Sequence, residues 1–496
     1  MNRDTNPLWL PSLTAHLLKD GVNLVDNLFA DLWRQAGMKT LIGRAGFRKR
    51  SGTPAHELVY GLLLWVWLKV DSIGLFARES LQTFCAAEKD ALYGVLNRED
   101  WNWRRLHREV ALRAEQSLSG VTTAKAFVLD DSIKRRCGRK MPGVSSHFDH
   151  TTGRHVMGQQ VLTLGLSSEA GFVPVDSELF ISAVKVQGSP PFQDGRSIAA
   201  KRYRLAKQQT KLEMAEAMIK RAQRAGFEAD YLLADAWFGN KVMIRIAEAA
   251  SLIPILRMKK DATHYRCTHC RQGQTVQIAM DVKTLYRTRI RGQWDKIPGQ
   301  PYQAKLLDVE LNLARDPKAP AQWRKVRLLF VRGVADAENA QGGQHDYAVF
   351  LTTDLSLAPQ RILELYALRW AIEVYFKEAK QHLGFLKEQS GHYAAYIASI
   401  HLTAIRFCLL VLAQAQHPTL SLAGVRKQLS DNATHLDFAA RLWSFFRALI
   451  TRALEPLAAQ WGKLIPEVMV AIDLQVNRCF VQALQLDPQT LRLEAT

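Results

Sequence analysis

Residues 126–132 read AFVLDDS, a short apolar run that ends in two neighbouring acids, Asp130 and Asp131. Apolar runs of this length are typical of strands buried in a sheet. A second run, DYLLADAW at 230–237, predicts another strand that ends at an acid, Asp235. Because functional groups collect just beyond strand ends in open α/β sheets, these acids are candidates for one site. For any single Asp at a strand end, a turn or cap role is the commoner alternative.

Further runs around these two extend the alternation of strands and helices. QQVLTLGLSS (159–168) and FVPVDSELFI (172–181) are predicted as adjacent strands, and IPILRM (253–258) as another. A basic helix is predicted between them, at about 199–224. The pattern predicts the first part of an α/β core over residues 121–258.

Residues 259–345 break this alternation, because they are rich in Gly, Pro, Gln, Arg and Thr. Two strand-like runs, AKLLDVELNL (304–313) and KVRLLFVRG (325–333), predict a β-rich insertion there. The second part of the core is predicted at 346–390, where a strand leads into a long helix, about 359–388.

Helical patterns fill the two ends of the chain, residues 1–120 and 391–496, so we predict a helical domain at each end. A chain of 496 residues exceeds the size of one hydrophobic core, which also predicts several domains. The most apolar runs are too short to cross a bilayer, and no secretory signal pattern opens the sequence.

Composition and charge narrow the class of protein. A content of 48% hydrophobic and 23% charged residues is that of a folded protein. The formal net charge of +19 favours a polyanionic partner, nucleic acid first, over a protein that is merely basic. Six scattered cysteines are too few for a disulfide framework, which fits a reducing cytoplasm.

The predicted helix near residue 370 carries a polar stripe. In YALRWAIEVYFKEAK, Tyr366, Arg369, Glu373 and Lys380 fall within about 60° of arc along about 21 Å of helix. The apolar residues occupy a neighbouring arc, so the stripe is free to present a carboxylate between cations. The alternative is a solvated face on which Arg369 and Glu373 form an ordinary ion pair between successive turns.

Three carboxylates, two from strand ends and one from a helix, suit a site for divalent cations. Hard oxygen ligands favour Mg²⁺ or Mn²⁺ over zinc. Two such ions can hold the attacking and leaving oxygens of an in-line phosphoryl displacement. Together with the net positive charge, the three acids therefore favour an enzyme that acts on phosphodiester bonds.

The same residues carry a resemblance to a known family. Tyr-x2-Arg-x3-Glu-x6-Lys resembles the YREK signature of Asp-Asp-Glu (DDE) transposases of the insertion-sequence-four group. VLDDS (128–132) and LLADAWFGN (232–240) resemble the two Asp blocks of that group. HFDHTTGRHVMGQQVLTLGL (147–166) is similar to the region after the first acid. The resemblance covers about residues 125–390, with the blocks in the expected order.

The resemblance implies a fold and an activity. The core would be RNase H-like, interrupted by the β-rich insertion, with a DNA-binding domain at 1–120. Asp130, Asp235 and Glu373 would be catalytic and would ligate two Mg²⁺ or Mn²⁺ ions. Asp131 remains an alternative to Asp130, since alternation along a strand lets only one of the two face the site. Tyr366, Arg369 and Lys380 would contact DNA.

The implied reaction is cut-and-paste transposition in the bacterial cytoplasm, at the nucleoid. The partners would be double-stranded DNA, as terminal inverted repeats and target, and a second copy of the chain in the synaptic complex. A hairpin intermediate is one route for cutting the second strand. The alternatives are a nuclease without strand transfer and a catalytically silent DNA-binding descendant of a transposase.

Two weaker patterns lie in the predicted insertion. Trp294 and Trp323 are candidates to receive a flipped base, although packing in the core is the commoner role of tryptophan. Cys267 and Cys270, with His264 and His269 close by, resemble half of a zinc site. No second cysteine pair lies nearby, and structural zinc needs four ligands, so we do not favour zinc there.

Overall fold

The computed structural model describes residues 28–85, 87–118, 124–138, 140–149, 152–188, 192–271, 274–316, 318–333, 347–454, 456 and 464–483. This part of the chain is mixed α/β, with helices at both ends and a large mixed sheet between them. The predicted α/β class is therefore confirmed at this level.

The strands are β1 (Ala126–Arg135), β2 (Ser145–Asp149), β3 (Arg154–Ser168), β4 (Gly171–Phe180), β5 (Tyr231–Ala234), β6 (Ile253–Arg257), β7 (His264–Arg271), β8 (Gln274–Asp281), β9 (Asp295–Lys296), β10 (Tyr302–Asn312), β11 (Trp323–Gly333) and β12 (Ala348–Thr352). The helices are α1 (Leu28–Gln35), α2 (Met38–Arg44), α3 (Ala55–Leu64), α4 (Ile73–Glu79), α5 (Leu81–Phe84), α6 (Lys89–Leu96), α7 (Trp103–Ser117), α8 (Ile198–Gln208), α9 (Lys211–Arg224), α10 (Lys241–Ala249), α11 (Val282–Leu285), α12 (Pro359–Ala367), α13 (Trp370–Gln381), α14 (Tyr393–Gln416), α15 (Leu422–Leu454) and α16 (Leu464–Ala483).

The strands before residue 258 form one half of the sheet, in the order β4-β3-β1-β5-β6. β1, β5 and β6 run parallel, whereas β3 is antiparallel to both of its long neighbours, β1 and β4. Leu129 pairs with Ala234, and Ala234 pairs with Leu256. The carboxyl ends of the three parallel strands therefore meet at one edge of the sheet.

The strands of the 259–345 stretch continue the same sheet. β12 pairs antiparallel with β6 on one side and with β11 on the other, and β10, β7 and β8 follow outward. The β-rich texture predicted for this stretch is present, and its strands are hydrogen-bonded through β12 to the core half.

The N-terminal part is helical throughout residues 28–117, as far as the structure describes it. At the other end, the 24-residue helix α14 packs against α7 and β4. By length and hydropathy α14 could cross a membrane, but 94% of its most apolar window is buried inside the protein. Burial of this extent is typical of a core helix.

Two predicted long helices are each divided in two. The helix predicted at 199–224 is α8 and α9, separated where Gln209 is extended and Thr210 begins α9 with a capping box to Glu213. The helix predicted at 359–388 is α12 and α13, because the turn at Leu368 and Arg369 uses hydrogen bonds to carbonyls three residues back. The Ser167 hydroxyl donates to the Leu368 carbonyl (2.9 Å), which then accepts no full α-helical bond.

Candidate active site

The register of β1 and β5 brings two of the predicted acids side by side. Leu129 and Ala234 are the last paired residues of the two parallel strands, so Asp130 and Asp235 come next on each. Asp235 follows the end of β5, as predicted. Asp130, in contrast, lies within β1, because β1 continues its pairing with β3 as far as Arg135. The expectation that Asp130 closes its strand is therefore wrong, although the parallel ladder does end just before it.

The Asp130 carboxyl group lies in a mostly enclosed position, with its side chain 20% exposed. Its Oδ1 accepts a hydrogen bond from the backbone N–H of Asp131 at 2.7 Å. Burial, and then the nearby charge of Asp235, raise the pKa of Asp130 to about 7. A second carboxylate beside a buried one makes the doubly charged state unfavourable, and a cation placed between them would reverse this effect.

Asp131 has other partners. Lys211 Nζ lies 2.7 Å from Asp131 Oδ2, and Gln160 Nε2 donates to Asp131 Oδ1 at 2.6 Å. The Lys211 amine also stands over the Trp237 ring, 4.3 Å from its centroid. Because the Asp131 carboxylate is already paired, the geometry favours Asp130 of the two alternatives.

Asp235 shapes the turn that follows β5. Its Oδ1 accepts hydrogen bonds from the backbone N–H groups of Trp237 (3.0 Å) and Phe238 (3.4 Å), so the turn role considered from the sequence is present. The chain after this turn passes close to the end of β6, because a Cβ on Gly239 would lie 2.0 Å from the Arg257 carbonyl oxygen. Only glycine fits there, and the turn holds the Asp235 carboxylate at the edge of the sheet.

Helix α13 supplies the third acid. The Arg369 guanidinium, at the start of α13, donates to Glu373 Oε1, and its Nη1 lies 3.5 Å from Asp130 Oδ2. The ion pair expected as the alternative role of the stripe is therefore present, but the same guanidinium also contacts the strand acid. Since the Arg369 side chain is only 11% exposed, the cation links Asp130 to Glu373 away from most solvent.

Tyr366 and Lys380 lie on either side of this link. The Tyr366 ring packs edge-on against Phe350 (4.6 Å between centroids), and burial, with smaller effects of nearby charges, raises the pKa of its hydroxyl. Tyr366 also borders a cavity of about 600 Å³ lined by Arg257, Arg332 and Tyr347 among others. Burial, followed by the charge of Lys134, lowers the pKa of the Lys380 amine.

The break between α12 and α13 alters the predicted stripe. Tyr366 belongs to α12, Arg369 to the turn, and Glu373 and Lys380 to α13. The four residues are therefore not on one continuous helix. Five residues of the predicted apolar arc, Leu365, Ile372, Tyr375, Ala379 and Leu383, are buried, whereas the sixth, Leu368, is only partly buried.

The donor set is chemically suited to a hard divalent cation, since Asp130, Asp235 and Glu373 offer only carboxylate oxygens. Among the residues that the structure describes, no group of three or more His, Cys, Asp or Glu side chains is arranged to hold a metal ion. The Arg369 guanidinium bonds to the Glu373 carboxylate and approaches Asp130. Glu373 would have to exchange this partner to join the two aspartates.

The weaker candidates of the 259–345 stretch differ from one another. Trp294 is half-buried under the Arg332 guanidinium, 4.6 Å from the ring centroid, at the end of β11 that borders the cavity. Trp323 is 41% exposed, with Arg266 at 3.9 Å from its ring, at the opposite end of β11. The expectation of core packing is therefore wrong for Trp323. Cys267 is buried, with its Sγ 3.6 Å from the Ile278 carbonyl; the side chains of Cys270 and His269 lie outside the described residues.

Sequence reasoning missed Lys134 and the role of Lys211. Lys134 follows Asp130 by four positions in β1 and so shares its face of the strand, a signal that the sequence contained. The pairing of Lys211 with Asp131 joins residues 80 positions apart and left no local signal.

Comparison with known protein families identifies one match. The model of a family described as DDE superfamily endonuclease matches residues 72–325, just over half of the chain. The matched region contains Asp130 and Asp235 and ends before Glu373. A search of curated proteins found no match.

Proposed function

Because this chain belongs to the DDE superfamily endonucleases, enzymes that cleave nucleic acid, we propose that it is the transposase of a bacterial insertion sequence. It cuts DNA at the ends of the element and joins the freed 3′-OH to a target duplex. The order of the two Asp blocks and the YREK-like residues supports this narrower assignment within the family.

One observation carries the proposal. Asp130 and Asp235 each follow the last paired residue of two adjacent parallel strands, and among the described residues Arg369 is the one cation that contacts both Asp130 and Glu373. A set of partly buried carboxylates with so little compensating charge is typical of a functional site rather than a structural one. The strand order β4-β3-β1-β5-β6, with β3 antiparallel, supports the RNase H-like core that the resemblance implies.

Asp130, Asp235 and Glu373 would hold the Mg²⁺ or Mn²⁺ ions, two in the proposal, which supply Lewis-acid activation of the attacking and leaving oxygens. The protein's own groups bind and orient the DNA. Arg369 offers a planar fork of donors suited to a phosphate, and the Tyr366 hydroxyl and the Lys380 amine flank it. The partly buried setting of Arg369 and Tyr366 strengthens their interactions relative to water.

The remaining parts of the proposal concern partners and layout. The DNA substrates are the terminal inverted repeats and the target duplex, and a second copy of the chain completes the synaptic complex. In the proposed layout, residues 1–120 bind DNA, residues 259–345 are the β-rich insertion and residues 391–496 are a C-terminal domain. The protein acts in the bacterial cytoplasm at the nucleoid. The net charge of +19 supports the DNA partner.

A strand-transfer assay tests the reaction. Pre-cut duplex ends that carry a free 3′-OH are incubated with a target plasmid and Mg²⁺, and joined products are measured. We expect joined product. Hydrolysis without joining would leave a nuclease of the same family, and DNA binding without cleavage would leave a silent descendant.

Glu373→Gln tests the third acid, which lies beyond the matched region. We expect loss of cleavage with unchanged DNA binding, because the change removes one charge and keeps the shape. Glu364→Gln is the matched control, since Glu364 is an exposed acid on the preceding helix α12. If the Glu373 variant cleaves as well as the control, Glu373 is misassigned. Inverted repeats flanking the gene, bordered by a short target duplication, would support the assignment independently.

A further inference from the structure

The face of β1 that bears Asp130 continues into a basic residue. Because side chains alternate along a strand, Asp130, Ser132 and Lys134 share one face. Four residues of strand place Lys134 about 13 Å from Asp130. Ser132 is buried and Lys134 is half-buried, so this face is enclosed near the acids and opens toward the lysine.

Lysines also follow the third acid, Glu373, along the chain. Lys380 lies seven residues after Glu373, about 10 Å farther along α13, and Lys387 lies seven residues after Lys380. The buried Arg406 and the half-buried Arg136 hold the turn between Lys380 and Lys387 in place. Arg406 donates to the Leu383 carbonyl (2.7 Å), and Arg136 donates to the Leu386 carbonyl (2.6 Å). Lys387 therefore sits on a rigid turn rather than on a free loop.

Lys134 lies close enough to both Lys380 and Lys387 for their charges to interact. Burial, then Arg136 and Lys387, lower the pKa of the Lys134 amine, and burial, then Lys134, lower that of Lys380. In the part of the chain that is described, none of the three has a carboxylate within 4 Å, whereas Lys125, Lys211 and Lys220 each have one. Glu388 acts on Lys134, and Asp149, Asp130 and Asp131 act on Lys380, electrostatically from a greater distance. Cations held together without a directly paired carboxylate repel one another, and an anion bound between them would reduce the repulsion.

We propose that Lys380, Lys134 and Lys387 form a lysine track that binds successive phosphates of one DNA strand as it leaves the acids. The track rests on the proposed function, because it takes DNA as the substrate of the same site. The separation of about 13 Å between Asp130 and Lys134 matches about four phosphates of one strand along a duplex axis. Lys134 and Lys387 thereby extend the DNA contact beyond the Tyr366, Arg369 and Lys380 of the YREK-like pattern.

The salt dependence of DNA binding tests the track. Binding of the full chain to a labelled duplex is measured without divalent metal over a series of salt concentrations, for wild type, Lys134→Ala, Lys387→Ala and the double variant. Each phosphate contact contributes about 0.9 to the slope of log K against log salt. We expect each single variant to reduce the slope by about one unit and the double variant by about two.

Two controls accompany the measurement. Lys220→Ala removes an exposed lysine that Glu216 already pairs at 2.5 Å, and it should leave the slope unchanged. Lys134→Arg keeps the charge and should keep the slope. Thermal unfolding of each variant shows whether the fold is retained; the exposed Lys387 still tests the track if Lys134→Ala does not fold.

The double variant decides the inference. A wild-type slope in the double variant overturns the track, even if the protein cleaves and joins DNA. A reduced slope in a protein that binds DNA but does not cleave it supports the track and contradicts the proposed function. Failure of the wild-type chain to bind duplex DNA overturns both.

Discussion

Two groups of carboxylates lie on the same sheet, and they differ in how completely their charge is compensated. On β4, Asp176 and Glu178 face three arginines, Arg104 from α7, Arg202 from α8 and Arg221 from α9. Arg221 Nε lies 2.8 Å from Asp176 Oδ2, and Arg202 Nη2 lies 2.8 Å from Glu178 Oε2. We call these five residues the β4 ion cluster. At the candidate site, one guanidinium serves Asp130 and Glu373.

The pKa values follow this difference. Burial alone would raise the pKa of Asp176, but Arg104, Arg221 and Arg202 outweigh burial and hold that pKa well below its usual value. At Asp130, burial and Asp235 outweigh Arg369, so the pKa rises to about 7. A buried acid with a surplus of cations holds helices to the sheet, whereas an acid with a deficit favours binding of an added cation. Compensation of charge thus distinguishes the β4 ion cluster from the candidate site within one sheet.

The largest expected difference between the two groups of carboxylates is in the rate of DNA cleavage. Asp130→Asn should reduce the single-turnover rate of DNA cleavage by about 10³-fold or more, because a metal ligand worth several kcal/mol is lost. Asp131→Asn is the matched control and should cleave within about tenfold of wild type, since Asp131 pairs with Lys211 rather than with the site. The reverse order of the two variants would make Asp131 the first acid.

Asp176→Asn should have its effect on stability instead. Removing one carboxylate leaves buried arginines of the β4 ion cluster short of a partner, which typically costs about 3–5 kcal/mol. Urea unfolding, followed by circular dichroism, measures the change against Asp130→Asn at pH 8. If Asp176→Asn unfolds at the same urea concentration as Asp130→Asn, the contrast between the two groups does not hold.

The pH dependence of Asp130 gives a smaller effect. Its folded pKa of about 7 exceeds the ordinary value of 3.8. Between these pH values the folded protein holds a proton that the unfolded chain has released. Raising the pH through this window therefore lowers the free energy of unfolding, and the loss is complete above about 7. This pH-dependent loss should be absent from Asp130→Asn in metal-free buffer.

If Asp130 is catalytic as proposed, the pKa of its carboxyl group should also set the pH dependence of cleavage. At low Mg²⁺ the cleavage rate should fall about tenfold for each pH unit below the inflection near 7. A bound cation favours the ionised carboxylate, so a higher Mg²⁺ concentration should move the inflection to lower pH. If the inflection does not move when the Mg²⁺ concentration changes, the group that titrates near pH 7 is not one of the proposed metal ligands.

The smallest expected effect is the thermal shift caused by metal. Mg²⁺ at about 100 times its dissociation constant stabilises the folded state by about 2.7 kcal/mol, which in a chain of this size raises Tm by a few degrees. Differential scanning fluorimetry should show the shift in wild type and in Asp176→Asn. The double variant Asp130→Asn/Asp235→Asn should show none, and an equal shift there would place the binding of Mg²⁺ elsewhere.

Local pattern predicted much of the fold. Leu232, Leu233 and Ala234 lie in a short apolar run that predicted a buried strand, and the acid that follows the strand marks the edge of the sheet. The β-rich composition of 259–345 was also visible. The pairing of β12 with β6 could not be predicted from the sequence, because it joins residues about 95 positions apart and local sequence patterns do not encode such a contact.

The candidate site shows the same limit. Spacing identified Tyr366, Arg369, Glu373 and Lys380, but not the turn that divides their helix, where the Leu368 carbonyl accepts a hydrogen bond from Ser167, 201 positions away. Likewise, the choice between Asp130 and Asp131 depends on Lys211. Residue types and local periods were readable from the sequence, whereas partners supplied by distant segments required the structure.

The position of β12 has a consequence for attempts to reduce the protein to a smaller enzyme. Since β12 is hydrogen-bonded to β6 and β11, excising residues 259–345 would leave one long side of β12 without a partner. An exposed strand edge of this kind invites pairing between molecules, so such a deletion should yield aggregates rather than a minimal nuclease. A shortened version would need a polar or proline-bearing edge on β12, designed in at the same time as the cut.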